Sequence, residues 1–165
     1  MTTGSMKIIN SLMAFDLGTK TGWAYWDGYG VTSGHESFKV KVGESPGMLY
    51  VRARTFVANQ LDGEAPDLIV YEEPWGPGKY AKQVLHGLVS IVMAEAAVRQ
   101  IEFAKVAAMT LKKWATHNGR ASKEDMVVRA SELVNKEIKS DDEADAICAL
   151  FWALEEFGLT KGEEV

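Results

Sequence analysis

A single α/β domain built on one mixed sheet is what this 165-residue chain predicts. Five short apolar or β-branched runs are punctuated by glycine, proline and acidic residues, as strands are. The first three follow one another as a meander, and the later two alternate with stretches of helical apolar spacing, which suits a sheet flanked by helices. At 47% hydrophobic residues, the chain can fill one compact core.

The run IINSLMAFDLG reads as a buried strand closing at Asp16, with Gly18 and Gly22 punctuating the turn after it. WAYWDGYGVTSGHESFKV reads as a hairpin, two aromatic or β-branched runs around Asp27-Gly28. SPGMLYVRARTFVANQLDG places Met48, Val51, Phe56, Val57 and Leu61 at roughly helical spacing, with Pro46 near its start and Gly63 as its stop. PDLIVYEEP is a short strand closed by Pro74, WGPGKY is a loop, residues 83–99 form a long apolar helix, and IEFAKVA is the fifth strand. Further helices are expected over residues 111–117, 123–136 and 142–157. With no repeat, low-complexity segment or linker, residues 7–158 read as one domain, 1–6 as a leader and 159–165 as a tail.

No uninterrupted apolar run reaches the roughly 18 residues of a membrane span. MTTGSMK lacks the apolar segment of a signal peptide, so the expected location is the cytoplasm and no membrane partner is expected. The single cysteine, Cys148, falls in an apolar helical pattern, excludes an intramolecular disulfide and reads as core packing. The net charge of −5 argues mildly against a nucleic-acid partner, but its distribution is uneven. Residues 105–139 hold eight Lys/Arg against four Asp/Glu, whereas residues 140–165 hold one Lys against eight acids. A basic segment beside an acidic one suits a protein that holds phosphates with one surface and metal ions with the next. It suits solvated helices equally.

The acidic segment SDDEADAICALFWAL puts four acids in five positions, 141–145, at the start of an apolar helix. Ser140 with Glu143 three residues on is a capping-box pattern, and acids in a first turn suit the helix dipole. Asp142 and Asp145, three apart on one face, need a further reason, because like charges held together repel unless something positive lies between them. Asp16 closes the first strand and Glu72-Glu73 the fourth. Alternation puts Leu68, Val70 and Glu72 on one face and Ile69, Tyr71 and Glu73 on the other, so only one of the two glutamates can face a shared site. Carboxylates from two strands and a helix would make an oxygen-rich cage of the kind hard divalent cations prefer. Two such ions about 3.5–4 Å apart can activate water and steady a leaving oxygen in phosphodiester hydrolysis.

MAFDLGTKTGWAYWDG, PDLIVYEEPW, TLKKWATHNGRASKEDM and DDEADAICAL, in that order across residues 7–158, resemble the RuvC-type Holliday junction resolvases, particularly their small phage-borne branch. The resemblance implies an RNase H-like fold, a mixed five-stranded sheet flanked by helices. It places the catalytic acids and metal ligands at Asp16, Glu72, Asp142 and Asp145, the Pro-Asp-to-Glu spacing selecting Glu72 over Glu73. It implies two Mg²⁺ (or Mn²⁺) ions per active site, products with a 5′ phosphate and a 3′ hydroxyl, and a homodimer that cuts branched DNA, a four-way junction, by paired symmetric nicks in a bacterial cell. Asp141 and Glu143 are left to capping and solvent.

Lys112, Lys113, Arg120 and Lys123 could grip DNA phosphates or simply form a solvated face, and Lys113 and Lys123 best match family positions. Trp75, three residues past Glu72, falls where the family carries an aromatic thought to stack on a base, though it could equally fold back onto its loop. Helix 83–99, with Val84, Gly87, Leu88, Ile91, Val92 and Ala96, could be a dimer surface or pack on its own sheet. Three rival readings remain. One is a broader branched-DNA, flap or RNase H-type nuclease on the same fold, and another is a non-catalytic DNA-binding module. FDLGTKTG also resembles the phosphate turn of actin-like ATPases and sugar kinases, which need two such domains and more room than 165 residues give.

Overall fold

A computed structural model of the chain describes residues 7–75 and 78–159. The expected leader, the tail beyond residue 159 and positions 76–77 of the WGPGKY loop lie outside the described residues. The strands are β1 (Leu12–Asp16), β2 (Lys20–Trp26), β3 (Val31–Ser37), β4 (Leu68–Glu72) and β5 (Glu102–Val106). The helices are α1 (Met48–Glu64), α2 (Lys79–Val98), α3 (Ala108–Thr116), α4 (Lys123–Val134) and α5 (Asp141–Glu156). The five strands form one sheet in the order β3-β2-β1-β4-β5, antiparallel through the first three and parallel from β1 to β4 to β5. The meander followed by helical crossovers is thus what the sequence pattern foretold.

The β2–β3 turn is held by Asp27, whose carboxylate accepts the backbone N–H groups of Tyr29 at 2.8 Å and Gly30 at 2.7 Å. Gly28 takes the positive φ of 95° that such a turn demands. Strand alternation then divides the core in two. Leu12, Ala14, Leu68 and Val70 face a layer made by α3, α4 and α5. Met13, Phe15, Ile69 and Tyr71 face the opposite layer, made by α1 and α2.

Several boundaries differ from expectation, α3 starting at Ala108 rather than 111 and α4 ending at Val134 rather than 136, and three more are informative. Gly22 belongs to the interior of β2, paired across from Asp16, rather than to the preceding turn. α1 runs past Gly63 to Glu64 and stops at Ala65, which takes a left-handed φ of 45°. Pro66 follows directly and cannot continue a helix, so it and not the glycine sets the end. α2 starts at Lys79, four residues earlier than its apolar pattern, because the first turn is polar and contributes nothing to that pattern.

α2 buries Val84, Leu88, Val92 and Ala96 in the second core layer. A Cβ at Gly87 would run into the Tyr50 ring of α1, so its smallness serves a close helix approach within the chain. By length and composition α2 could also cross a membrane, contrary to the run-length reading, yet its buried stripe makes it a core helix of this sheet. Only 28% of its most apolar window is buried, and Tyr80, Met93 and Val98 stay exposed.

α5 is the central helix of the first layer, with Ala144, Ala146, Ile147, Cys148, Ala149, Leu150 and Ala153 fully buried. The Cys148 thiol points at the Met126 carbonyl, 4.0 Å away, and burial pushes its pKa up to about 12. Because α5 touches β1, β2 and β4 at once, a hole beneath it cannot be closed by a local shift. Leu150→Ala is expected to lower stability by about 2–5 kcal/mol in urea unfolding; a loss under 1 kcal/mol would show that the layer relaxes around α5.

Candidate metal centre

Asp16 continues the Leu12–Ala14 face of β1, and Glu72 continues the Leu68–Val70 face of β4. β1 and β4 run parallel with Phe15 opposite Tyr71, so one further step sets Asp16 beside Glu72 at the end of the sheet. Both carboxylates therefore point toward α5, which contributes Asp145 from its first turns. One carboxylate oxygen from each of Asp16, Glu72 and Asp145 lies within 4.8 Å of the other two, and all three residues are partly buried. Glu73 points to the other face and pairs with Lys105 at 2.8 Å.

The approach of α5 depends on Gly22. Any Cβ at that position would collide with the backbone carbonyl of Asp142. The strand residue opposite Asp16 thus has no side chain, and the N-terminal turn of α5 rests on bare backbone. Ser140 accepts the Glu143 N–H at 3.3 Å, as its capping pattern predicts. Glu143 does not return the bond: its carboxylate accepts from the Ser33 hydroxyl at 2.7 Å, pinning α5 to β3 instead. The reciprocal capping box occurs at α4, between Ser122 and Asp125.

Crowding shows in the protonation of the cluster. Burial first, then the charges of Glu72, Asp145, Asp142 and Asp141, push Asp16 well above the usual carboxylate range. Burial and then Asp145 raise Glu72 to about 7, against the pull of Lys112. Burial raises Asp145 to about 6, Lys112 again opposing and Asp141 and Asp142 adding. An all-oxygen donor set whose negative charges repel one another fits a hard divalent cation, which would replace the missing positive charge.

The remaining expected site residues take varied places. Asp142 stands outside the group of three, its Oδ2 3.7 Å from the Lys20 ammonium, and burial raises its pKa. Lys112 is half-buried beside the cluster. Lys123 pairs with Asp141 at 2.8 Å, which gives Asp141 an ionic role beyond capping. Lys113 and Arg120 are exposed and, among the described residues, make no ion pair with the cluster. Trp75 is 82% exposed rather than folded back, and it lines a groove of about 420 Å³ with Pro74, Ala107, Ala108, Met109 and Gly119. Sequence reasoning missed Lys20 and the true role of Gly22. Nothing in the local pattern marks the lysine, whereas a glycine inside a strand does signal a close backbone approach.

The sheet order and the helix layers define an RNase H-like fold. Among solved structures, RuvC from Thermus thermophilus superposes with a TM-score of 0.72 at 19% identity, over 90% of this chain and 97% of that one. The same organism's RuvC in complex with a Holliday junction substrate gives 0.75 at 14% identity, over 92% and 96%. The yeast mitochondrial Holliday junction resolvase Ydc2 gives 0.63 at 15% identity, over 90% and 79%. No family model and no curated protein matches the chain by sequence.

Two outcomes follow from this geometry. Gly22→Ala is expected to fold with a stability loss of about 1–3 kcal/mol while weakening any divalent-cation binding by calorimetry at least about tenfold, because α5 must lift Asp145 away from Asp16; unaltered metal affinity would show that the contact is not what sets the cluster. The second concerns pH. Glu72 and Asp145 hold their protons more tightly when folded, so the stability they lend is present at low pH and lost as pH rises through about 6 and about 7. Glu44, Asp62 and Glu95, held low by hydrogen bonds from arginines, act in the opposite sense but have finished titrating below that range. The Tm of metal-free protein should therefore fall between about pH 5 and 8, and fall less in Asp16→Asn; a pH-independent Tm would contradict the crowding.

Proposed function

We propose that this chain is a metal-dependent, structure-selective endonuclease that resolves Holliday junctions by paired symmetric nicks, acting as a homodimer. The observation that carries the reading is the convergence of Asp16, Glu72 and Asp145 within 4.8 Å at the end of this particular sheet. The likeness to a RuvC bound to a Holliday junction substrate supports the substrate class.

In this reading Asp16, Glu72 and Asp145, joined by Asp142, hold two Mg²⁺ or Mn²⁺ ions. Bound there, the ions would supply an activated water for in-line attack on a phosphodiester and charge stabilisation for the departing oxygen. The residues of the chain do the rest. The raised carboxylates give up their protons when cation binds, so loading is favoured toward neutral and higher pH. Lys112, beside Glu72 and Asp145, places positive charge where a phosphate would lie over the cluster. Lys113, Arg120 and Lys123 extend that positive rim along α3 and α4, giving affinity that falls with salt. The exposed indole of Trp75, at the edge of its groove, offers a stacking surface to an unpaired base, worth about 1–3 kcal/mol.

Productive resolution needs two matched cuts, which a two-fold dimer supplies. The largely uncovered apolar side of α2 is the surface that fits such a partner. It lies on the layer opposite α5, so pairing through it leaves both metal centres open.

The test is cleavage of a labelled four-way junction beside a linear duplex, a flap and an RNA–DNA hybrid, with and without Mg²⁺. Symmetric paired nicks confined to the junction are expected, with Asp145→Asn abolishing cleavage and retaining measurable junction binding. Efficient cutting of the flap or hybrid would replace the reading by a broader nuclease. No metal-dependent cleavage of any substrate would leave a binding module.

A further inference from the structure

Three lysine–carboxylate pairs lie at this end of the sheet, and they are not alike. Lys105 to Glu73 and Lys123 to Asp141 are close ion pairs of 2.8 Å. The third, Lys20 to Asp142, spans 3.7 Å, too long for a hydrogen bond. Its two side chains are 45% and 26% exposed, so the attraction is weakened by solvent. Lys20 opens β2, on the rim where β1 ends and α5 begins. Asp142 lies one helical turn before Asp145 on nearly the same face, so its carboxylate stands on the side of α5 that carries a member of the group of three.

This arrangement gives Asp142 two possible partners. In the protein without metal, Lys20 offsets its charge. A divalent cation in the cluster would bring more positive charge to the same carboxylates, and the ammonium would then face a cation across a shared ligand. We infer that Lys20 is an exchangeable phosphate-positioning residue, resting on Asp142 while the metal is absent and moving to a phosphate of the bound nucleic acid once Asp142 turns to the metal. The inference depends on the cluster being a metal centre, as proposed above. It makes metal binding and DNA binding help each other through one side chain, an effect that must be reciprocal. The long flexible stem of lysine permits such a change of partner without backbone motion.

The experiment compares the full-length wild type, Lys20→Ala and Lys20→Arg. Junction affinity is measured by fluorescence anisotropy across a salt series, once in Ca²⁺ and once in EDTA. Binding of Ca²⁺ to the DNA-free protein is measured by calorimetry. In Ca²⁺, Lys20→Ala should lower the slope of log affinity against log salt by about one, the loss of one phosphate contact, while in EDTA its slope should match wild type. Lys20→Arg should keep the wild-type slope in both. Without DNA, Lys20→Ala should bind Ca²⁺ about two- to fivefold more tightly, because a weak competing ion pair is gone. An equal loss of slope with and without Ca²⁺ would make Lys20 a permanent phosphate ligand and overturn the exchange, as would an unchanged slope in Ca²⁺. Wild-type protein that binds no Ca²⁺ would overturn the metal centre itself, a result distinct from either.

Discussion

Repulsion among three carboxylates within 4.8 Å is the constraint around which the molecule is arranged. At an effective dielectric constant near 20, each ionised pair at such a distance opposes folding by on the order of 3–4 kcal/mol before protons or counter-ions respond. Only a backbone held firmly elsewhere can keep them together. The parallel register of β1 and β4 supplies that for Asp16 and Glu72, and the fully buried apolar stripe of α5 supplies it for Asp145. The fold thus holds in place a hole shaped for positive charge, and its own cations, Lys20, Lys112 and Lys123, stand at the edge rather than inside.

That separation of charge organises the surface as well. The layer of α3, α4 and α5 carries an acidic centre inside a basic rim, while the layer of α1 and α2 carries an apolar helix still largely uncovered. In the function proposed above, a polyanion would meet the first and an apolar partner the second. A chain with net charge −5 can therefore offer a phosphate-binding face, since short-range arrangement outweighs the total under salt screening.

The features legible in the sequence were those with a period or a spacing. Alternation along Leu68–Glu72 put Glu72 and Glu73 on opposite faces, the family resemblance chose Glu72, and the contact of Glu73 with Lys105 shows the other face in use. The strand run into Asp16 and the three-residue offset of Asp142 and Asp145 likewise marked the acids. What stayed hidden were relations between distant segments. Gly22 looked like turn punctuation because its real neighbour, the Asp142 carbonyl, is 120 residues away in sequence. The partner of Glu143 proved to be Ser33 rather than its own helix cap, for the same reason. Helix ends also escaped, as at α2, whose first turn carries no apolar signal.

Cys148 sits one turn beyond Asp145 on the same helix, sealed from solvent, with its thiol held protonated far above neutral pH. It is the single cysteine of the chain. Its sulfur, packed between α5 and α4, is therefore protected while that layer is closed and reactive only when one of the two helices opens. The molecule contains its own clock for that event. The rate at which an alkylating reagent consumes the thiol counts the openings of the layer that carries Asp145, with no label added and no residue changed.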